Sequence, residues 1–342
     1  MKIIVDAMGG DNAPDEIVLG AVNAAVKMDI EVTLVGKGED ILRCIERMGF
    51  GELPKGIKIV NATQVIEIED DPSTAIRVKK DSSLTVGFNL LRDGKGDALV
   101  SAGSTGALLS GATLIVKRIR GLRRAALAPV IPSASGGFVL IDCGANAECT
   151  PEYLLQFAYM GSFYAEDVLS VKSARIGLLN NGAEETKGTT LQQETYKLLK
   201  QSNLNFIGNV EAKDAFKGAC DVLVCDGFTG NIMLKTIEGT AKLVMSELKS
   251  VYMSSLKTKI SAMMIKKNMS GLKKKLNPDE TGGTALLGIS KPVIKAHGSS
   301  GEIAIENAIA QAVLEVKSDI ASKIKDNIES MKIAIDITAD ET

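Results

Sequence analysis

Apolar residues in this chain fall into short unbroken runs. Ile3–Asp6, Val32–Val35, Ile57–Val60, Ala98–Ser101, Phe138–Asp142, Arg175–Leu179 and Val222–Asp226 are rich in aliphatic and β-branched residues. Ile3–Val5 and Val222–Val224 are apolar throughout, the pattern of strands buried on both faces. Between most of these runs, apolar residues recur at helical spacing: Glu16–Lys27, Leu84–Arg92, Thr105–Lys117, Glu152–Ala165, Thr189–Leu199 and Ile232–Ser250. Alternating strands and helices predict an α/β fold with a mostly parallel sheet covered on both faces.

Two stretches depart from that alternation. Ala98–Val116 carries no charge and has about the length of a membrane-crossing helix. Its centre is glycine, serine and threonine, so a strand, a turn and a helix explain it better. Lys249–Pro278 holds eight lysines and no acid, with Leu256, Ile260, Met263 and Met264 at helical spacing. This basic amphipathic stretch suits an anionic membrane or a partner surface, and equally a solvated helix.

Composition narrows the function classes. A net charge of −2 argues against nucleic-acid binding through bulk charge. Trp is absent and aromatics are 4% of residues, which disfavours stacking platforms. The five cysteines have no CxxC spacing, and with a single histidine a His/Cys zinc site is hard to build. The opening MKIIVDAMGGD lacks signal-peptide character, so a reducing, cytoplasmic setting is expected.

In open α/β sheets, ligands bind beyond the carboxyl ends of strands. Glycine-rich turns follow most of the predicted strands: DAMGGDNAP, SAGSTGA, DCGAN, NNGAEETKG and CDGFTGN. KAHGSSG, with the lone His297, follows a further short apolar run. They carry the donors Ser104, Thr105, Lys187, Asn231, Lys295, His297 and Ser299. Backbone N–H groups at Gly103 and Gly106 suit an anion at a helix start, or simply a capped helix. Lys187 beside a helix N-terminus conflicts with the helix dipole unless an anion is present, or it pairs with Glu184 or Glu185. Cys143 reads as a nucleophile or, more in keeping with its type, a buried structural thiol. No acid pair is spaced as a hydrolase dyad, and converging helix starts with few fixed charges suit phosphate.

Taken in order, these motifs resemble the bacterial acyl-acyl carrier protein:phosphate acyltransferases of phospholipid synthesis, from Met1 to about Lys325. The resemblance implies a three-layer αβα, Rossmann-like fold of the isocitrate/isopropylmalate dehydrogenase type. It implies one catalytic domain over 1–330, a basic helical hairpin over 246–277 and a tail over 331–342. It also implies a homodimer, loose association with an anionic membrane, and no cofactor or metal. The substrates would be acyl carrier protein thioesters and inorganic phosphate. A membrane glycerol-3-phosphate acyltransferase would consume the acyl-phosphate.

Lys187, His297 and Asn231 are the expected catalytic residues. Gly103, Ser104, Thr105, Gly106, Asn180, Asn181, Asp226, Gly230 and Ser299 are the expected phosphate or substrate contacts. Leu256, Ile260, Met263 and Met264 are the expected membrane contacts. The alternatives are a phosphate acetyltransferase using acetyl-coenzyme A, a nicotinamide-dependent decarboxylating dehydrogenase, and a non-catalytic membrane scaffold.

Overall fold

The computed structural model describes residues 1–265, 268, 269, 271 and 282–332. Each of the seven predicted runs forms a strand, and each predicted helix is present. The single expected sheet is instead two. One has the order β3 (Ile57–Asn61), β2 (Glu31–Gly36), β1 (Lys2–Asp6), β4 (Ala98–Ser101), β12 (Val293–Lys295), β11 (Thr284–Leu287), β5 (Ala126–Ala128). The other has the order β6 (Val130–Ser133), β7 (Gly136–Ile141), β10 (Val222–Val224), β8 (Ile176–Leu179), β9 (Phe206–Val210). Pairing is parallel except around β11 and between β6 and β7.

The split occurs at Pro129. Proline lacks the N–H a continuous ladder needs, and the chain passes there from the edge of one sheet to the edge of the other. Strand β7 then binds the junction, with Leu140 N–H to Pro129 O at 3.0 Å and Cys143 N–H to Leu127 O at 3.0 Å.

Side chains on a strand alternate between faces, and here both faces are buried. Ile3 and Val5 face one apolar layer with Ile17, Ala21 and Ile305, while Ile4 faces another with Phe88, Leu91 and Leu108. In the second sheet Val139 and Ile141 meet Leu154 and Phe157, and Phe138 and Leu140 lie in the opposite layer with Leu223. This explains why the strand runs are continuous rather than alternating.

The uncharged Ala98–Val116 stretch becomes β4, a turn and a helix over Thr105–Gly111 that ends in a wider π-helical turn over Ala112–Val116. Among the described residues, no helix is long and apolar enough to cross a membrane. The helix expected over Ile232–Ser250 is longer, Gly227–Met253, and a second helix covers Leu256–Met264. The Tyr252 hydroxyl meets Met269 Sδ at 3.7 Å, so the chain doubles back there. Lys266, Lys267 and Lys273–Lys275 lie outside the described residues. After the helix Glu302–Ser318, Ile328 and Met331 still belong to the core, and residues 333–342 of the expected tail lie outside the described ones.

One polar residue in this core is unusual. Glu315, on the helix Glu302–Ser318, is 3% exposed, and its Oε1 has no partner among the described residues. Burial pushes its carboxyl from 4.5 up to about 8. The unfolded chain therefore releases this proton first. Stability is greatest below the unfolded value and falls as pH rises toward 8. Glu315→Gln removes the titration, and its new amide has Gln311 Oε1, also unpartnered among the described residues, one turn away. The expected outcome at neutral pH is stabilisation on the order of 2 kcal/mol, with a flatter dependence of the melting temperature on pH between about 5 and 8. Thermal unfolding of both proteins across that range checks it.

Candidate active site

Strand β12 lies beside β4, so the turns after both open on one side. Facing them are the start of the helix Gly227–Met253 and the β5–β6 crossing. Together they enclose a cavity of about 360 Å³, lined on its polar side by Thr105, Asn231, Lys235, Glu238, Lys295 and His297.

Lys295 is the last residue of β12. Its Nζ donates to Ala102 O at 3.2 Å and to Ala296 O, which holds the ammonium at the cavity wall. Burial pushes its pKa down to about 8, with Asp6 and Asp11 opposing and Lys235 assisting. His297 is fixed by its own turn. Its Nδ1 accepts the Ser299 N–H at 3.3 Å and lies 2.9 Å from Ser299 Oγ. Accepting there leaves Nε2 as the donor of the neutral ring. Ser299 thus positions the histidine.

Asn231 stands one turn inside the helix Gly227–Met253, packed over Gly144. Lys235 follows one turn later, with Nζ 2.8 Å from the buried Glu238. The helix start is anchored by Asp226, whose carboxylate accepts Thr229 N–H at 2.8 Å and Thr229 Oγ1–H at 2.7 Å. That is a cap, and the structure gives Asp226 no anion-binding character. Gly230 is a packing residue, since a Cβ there would lie 1.9 Å from Asp142 O.

Of the expected SAGSTGA cradle, only Thr105 lines the cavity. The Gly103 N–H is already committed to Ser101 Oγ at 3.0 Å, and Ser101 donates to the buried Asp6 at 2.7 Å. Ser104 caps the helix Thr105–Gly111, accepting Ala107 N–H at 3.5 Å. A Cβ at Gly106 would strike Pro72.

The remaining expected residues lie at or beside a second cavity, about 690 Å³, on the other side of the same helix. Asn180 and Asn181 line it. Asn180 also shapes its loop, donating from Nδ2 to Lys187 O at 3.1 Å. Lys187 is on that loop and exposed. Glu185 is taken by Lys200 and Tyr196, and among the described residues the Lys187 ammonium has no ionic partner. It remains free near the start of the helix Thr190–Gln201. The structure therefore divides the expected catalytic trio: His297 and Asn231 share the first cavity, and Lys187 stands by the second.

Sequence reasoning named Lys295 as a donor but gave it no role. The signal was its position one residue before the Ala296–His297 turn, at the end of an apolar run. Cys143 lines the cavity but is buried, and desolvation raises its thiol well above the ordinary range, as it does for Cys225. Neither suits nucleophilic attack. Among the described residues, no cluster of three His, Cys, Asp or Glu side chains is placed to hold a metal ion.

Known proteins share both the fold and the sequence. The chain overlays a phosphotransacetylase from Streptococcus pyogenes with a TM-score of 0.61 at 16% identity, over 94% of each chain. A phosphotransacetylase from Staphylococcus aureus gives 0.59 at 15% identity, over 93% of this chain and 94% of that one. At this identity the likeness concerns the fold alone, a mixed α/β architecture with two mostly parallel sheets. Curated relatives are far closer in sequence. A phosphate acyltransferase from Clostridium tetani is 48% identical over 97% of this chain and 100% of its own. One from Oceanobacillus iheyensis is 46% identical over 97% and 98%. A family model described as fatty acid synthesis protein matches residues 1–323, and with these relatives it shows that the chain belongs to the phosphate acyltransferase family.

Proposed function

We propose that this enzyme transfers the acyl group of acyl-acyl carrier protein to inorganic phosphate, releasing acyl-phosphate and free acyl carrier protein for phospholipid synthesis. The observation that carries the reading is the first cavity, where Lys295, His297, Asn231 and Thr105 surround a space suited to a small anion. A phosphate oxygen attacks the thioester carbonyl carbon, the C–O bond forms, and the C–S bond breaks. The leaving thiolate takes a proton from water, while the His297 Nε2–H donates a hydrogen bond to the phosphate or to the developing oxyanion. The second pKa of phosphate lies near neutrality, so a useful fraction is already dianionic and no strong base is needed. The task is to gather negative charge and orient it, which fixed donors accomplish. The buried, protonated state of Cys143 and Cys225 supports direct attack without an acyl-enzyme.

In this reading Lys295 and His297 hold phosphate with Asn231 and Thr105. Lys187 supplies charge from the loop of the second cavity, where Asn180 and Asn181 meet substrate. Gly103, Ser104, Gly106, Asp226, Gly230 and Ser299 act by shaping these turns. The body is read as isocitrate/isopropylmalate dehydrogenase-like, with a protruding helical hairpin. Leu256, Ile260, Met263 and Met264 are 50–82% exposed along the hairpin, which supports contact with an anionic membrane surface from the cytoplasmic side. Leu243, Val244 and Val251 are exposed on the long helix, as a homodimer surface would be. Release beside a bilayer delivers the lipophilic product to a membrane glycerol-3-phosphate acyltransferase.

Thiol release from palmitoyl-acyl carrier protein, with and without phosphate, tests the reaction. Phosphate-dependent release is expected, lowered by about a hundredfold in His297→Ala, Lys187→Ala and Lys295→Ala. Release from acetyl-coenzyme A but not from the carrier protein would assign the acetyltransferase activity instead. Lys295 is charged only below its pKa, so kcat/KM for phosphate should fall above pH about 8. Lys295→Arg should move that limb to higher pH, and an unmoved limb would exclude Lys295 as the titrating group. Leu256→Asp with Ile260→Asp should abolish co-sedimentation with anionic vesicles while turnover in solution survives.

A further inference from the structure

The helix Gly227–Met253 separates two cavities and shows each a different chemistry. Successive residues on a helix turn by about 100°. Asn231, Lys235 and Glu238 therefore share one face, toward the polar cavity. Ile232, Met233 and Thr236 share the opposite face, toward the second cavity. Ile237 falls between the two arcs and lines both. The second cavity is walled by Leu179, Phe216, Ile232, Met233 and Ile237. The Phe216 ring is locked edge-on against Phe138 at 5.8 Å, which makes that wall rigid. Ile232 nonetheless remains 52% exposed, an apolar surface in a concave site with nothing over it among the described residues.

We infer that this second cavity holds the hydrocarbon chain of the acyl donor, with Ile237 at the passage between the chain and the reacting carbonyl. The inference rests on the acyl-transfer reading above. Adjacency and apolar lining point to the occupant. A thioester whose carbonyl reaches the phosphate cavity must lead its chain away from Lys295 and Lys235, and Ile237 borders both that cavity and the apolar one beside it. The chain would cover Ile232 and Met233 and exclude water from the neighbouring polar site. Residues at 232, 233 and 236 then set which chain lengths are accepted, because each buried methylene adds to binding.

The test compares kcat/KM for palmitoyl- and octanoyl-acyl carrier protein at saturating phosphate, in the wild type and in Thr236→Trp and Met233→Trp. Thr236 is exposed, so its replacement fills the cavity without disturbing the core, whereas Met233 packs on the core and serves as the second variant. The palmitoyl-to-octanoyl ratio is expected to fall about tenfold or more in Thr236→Trp. An unchanged ratio in Thr236→Trp, with phosphate-dependent turnover intact in the wild type, overturns the chain site and leaves the reaction standing. Equal losses on both donors overturn it too. A changed oligomeric state with an unmoved ratio overturns it by assigning the face to a second copy. No phosphate-dependent release from either donor by the wild type removes the reaction and the inference together.

Discussion

The buried carboxylate of Asp142 is the point on which the two halves of the molecule are keyed. It sits at the end of β7 with no solvent exposure. It accepts Leu127 N–H at 2.9 Å, Ala145 N–H at 3.2 Å and Asn146 N–H at 2.7 Å, and the Asn146 side-chain amide at 2.9 Å. Leu127 belongs to the edge strand of the other sheet, so one side chain bonds across the junction. The same Asn146 amide continues to Ala125 O at 2.7 Å. Glycines at 227 and 230 let the long helix approach this residue closer than any side chain would permit. Burial raises the Asp142 pKa against the pull of its donors, the mark of a carboxyl kept for structure. Leu127, Cys143 and Asn231, three walls of the polar cavity, all take their positions from it.

Asp6 plays the corresponding part in the first sheet. It is buried at the end of β1 and accepts Ser101 Oγ–H from the end of β4. Each sheet thus has a carboxylate at the carboxyl edge of a central strand, spent on shaping glycine-rich turns. The donors that face the cavity follow these anchors in space: Lys295 beside β4, Asn231 beside β7. A small anion would meet cations and N–H groups while the nearby acids are already occupied by hydrogen bonds.

The strands and turns were legible because both depend on local pattern. Continuous apolar runs report burial on both faces, and glycine-rich turns report where strands end. What the sequence hid was long-range. The division into two sheets turns on Pro129, in a stretch whose pairing is decided by β7 and β11. The helix Gly38–Arg47 and the strands β5, β6, β9 and β11 carried patterns too short or too mixed to separate from loops. In the site, residue type was a fair guide to Asn231 and His297 and a poor one to the SAGSTGA motif. Whether a Gly103 N–H is free depends on Ser101, and whether Asp226 is a ligand or a cap depends on Thr229. The worth of Lys295 depends on burial, which no local pattern reports.

The strand orders also carry a consequence for the time course of folding. The second sheet uses only residues 130–224, so all its strands have been made before the long helix is complete. The first sheet cannot close until residues 284–295 arrive, because β12 and β11 lie between β4 and β5. During synthesis one half can consolidate early while the other waits with an open seam. Lys295 and His297 enter with the strand that fills the seam. The chain therefore completes its reactive pocket only when that seam is filled, late in synthesis, and a chain that ends before β12 lacks both Lys295 and His297.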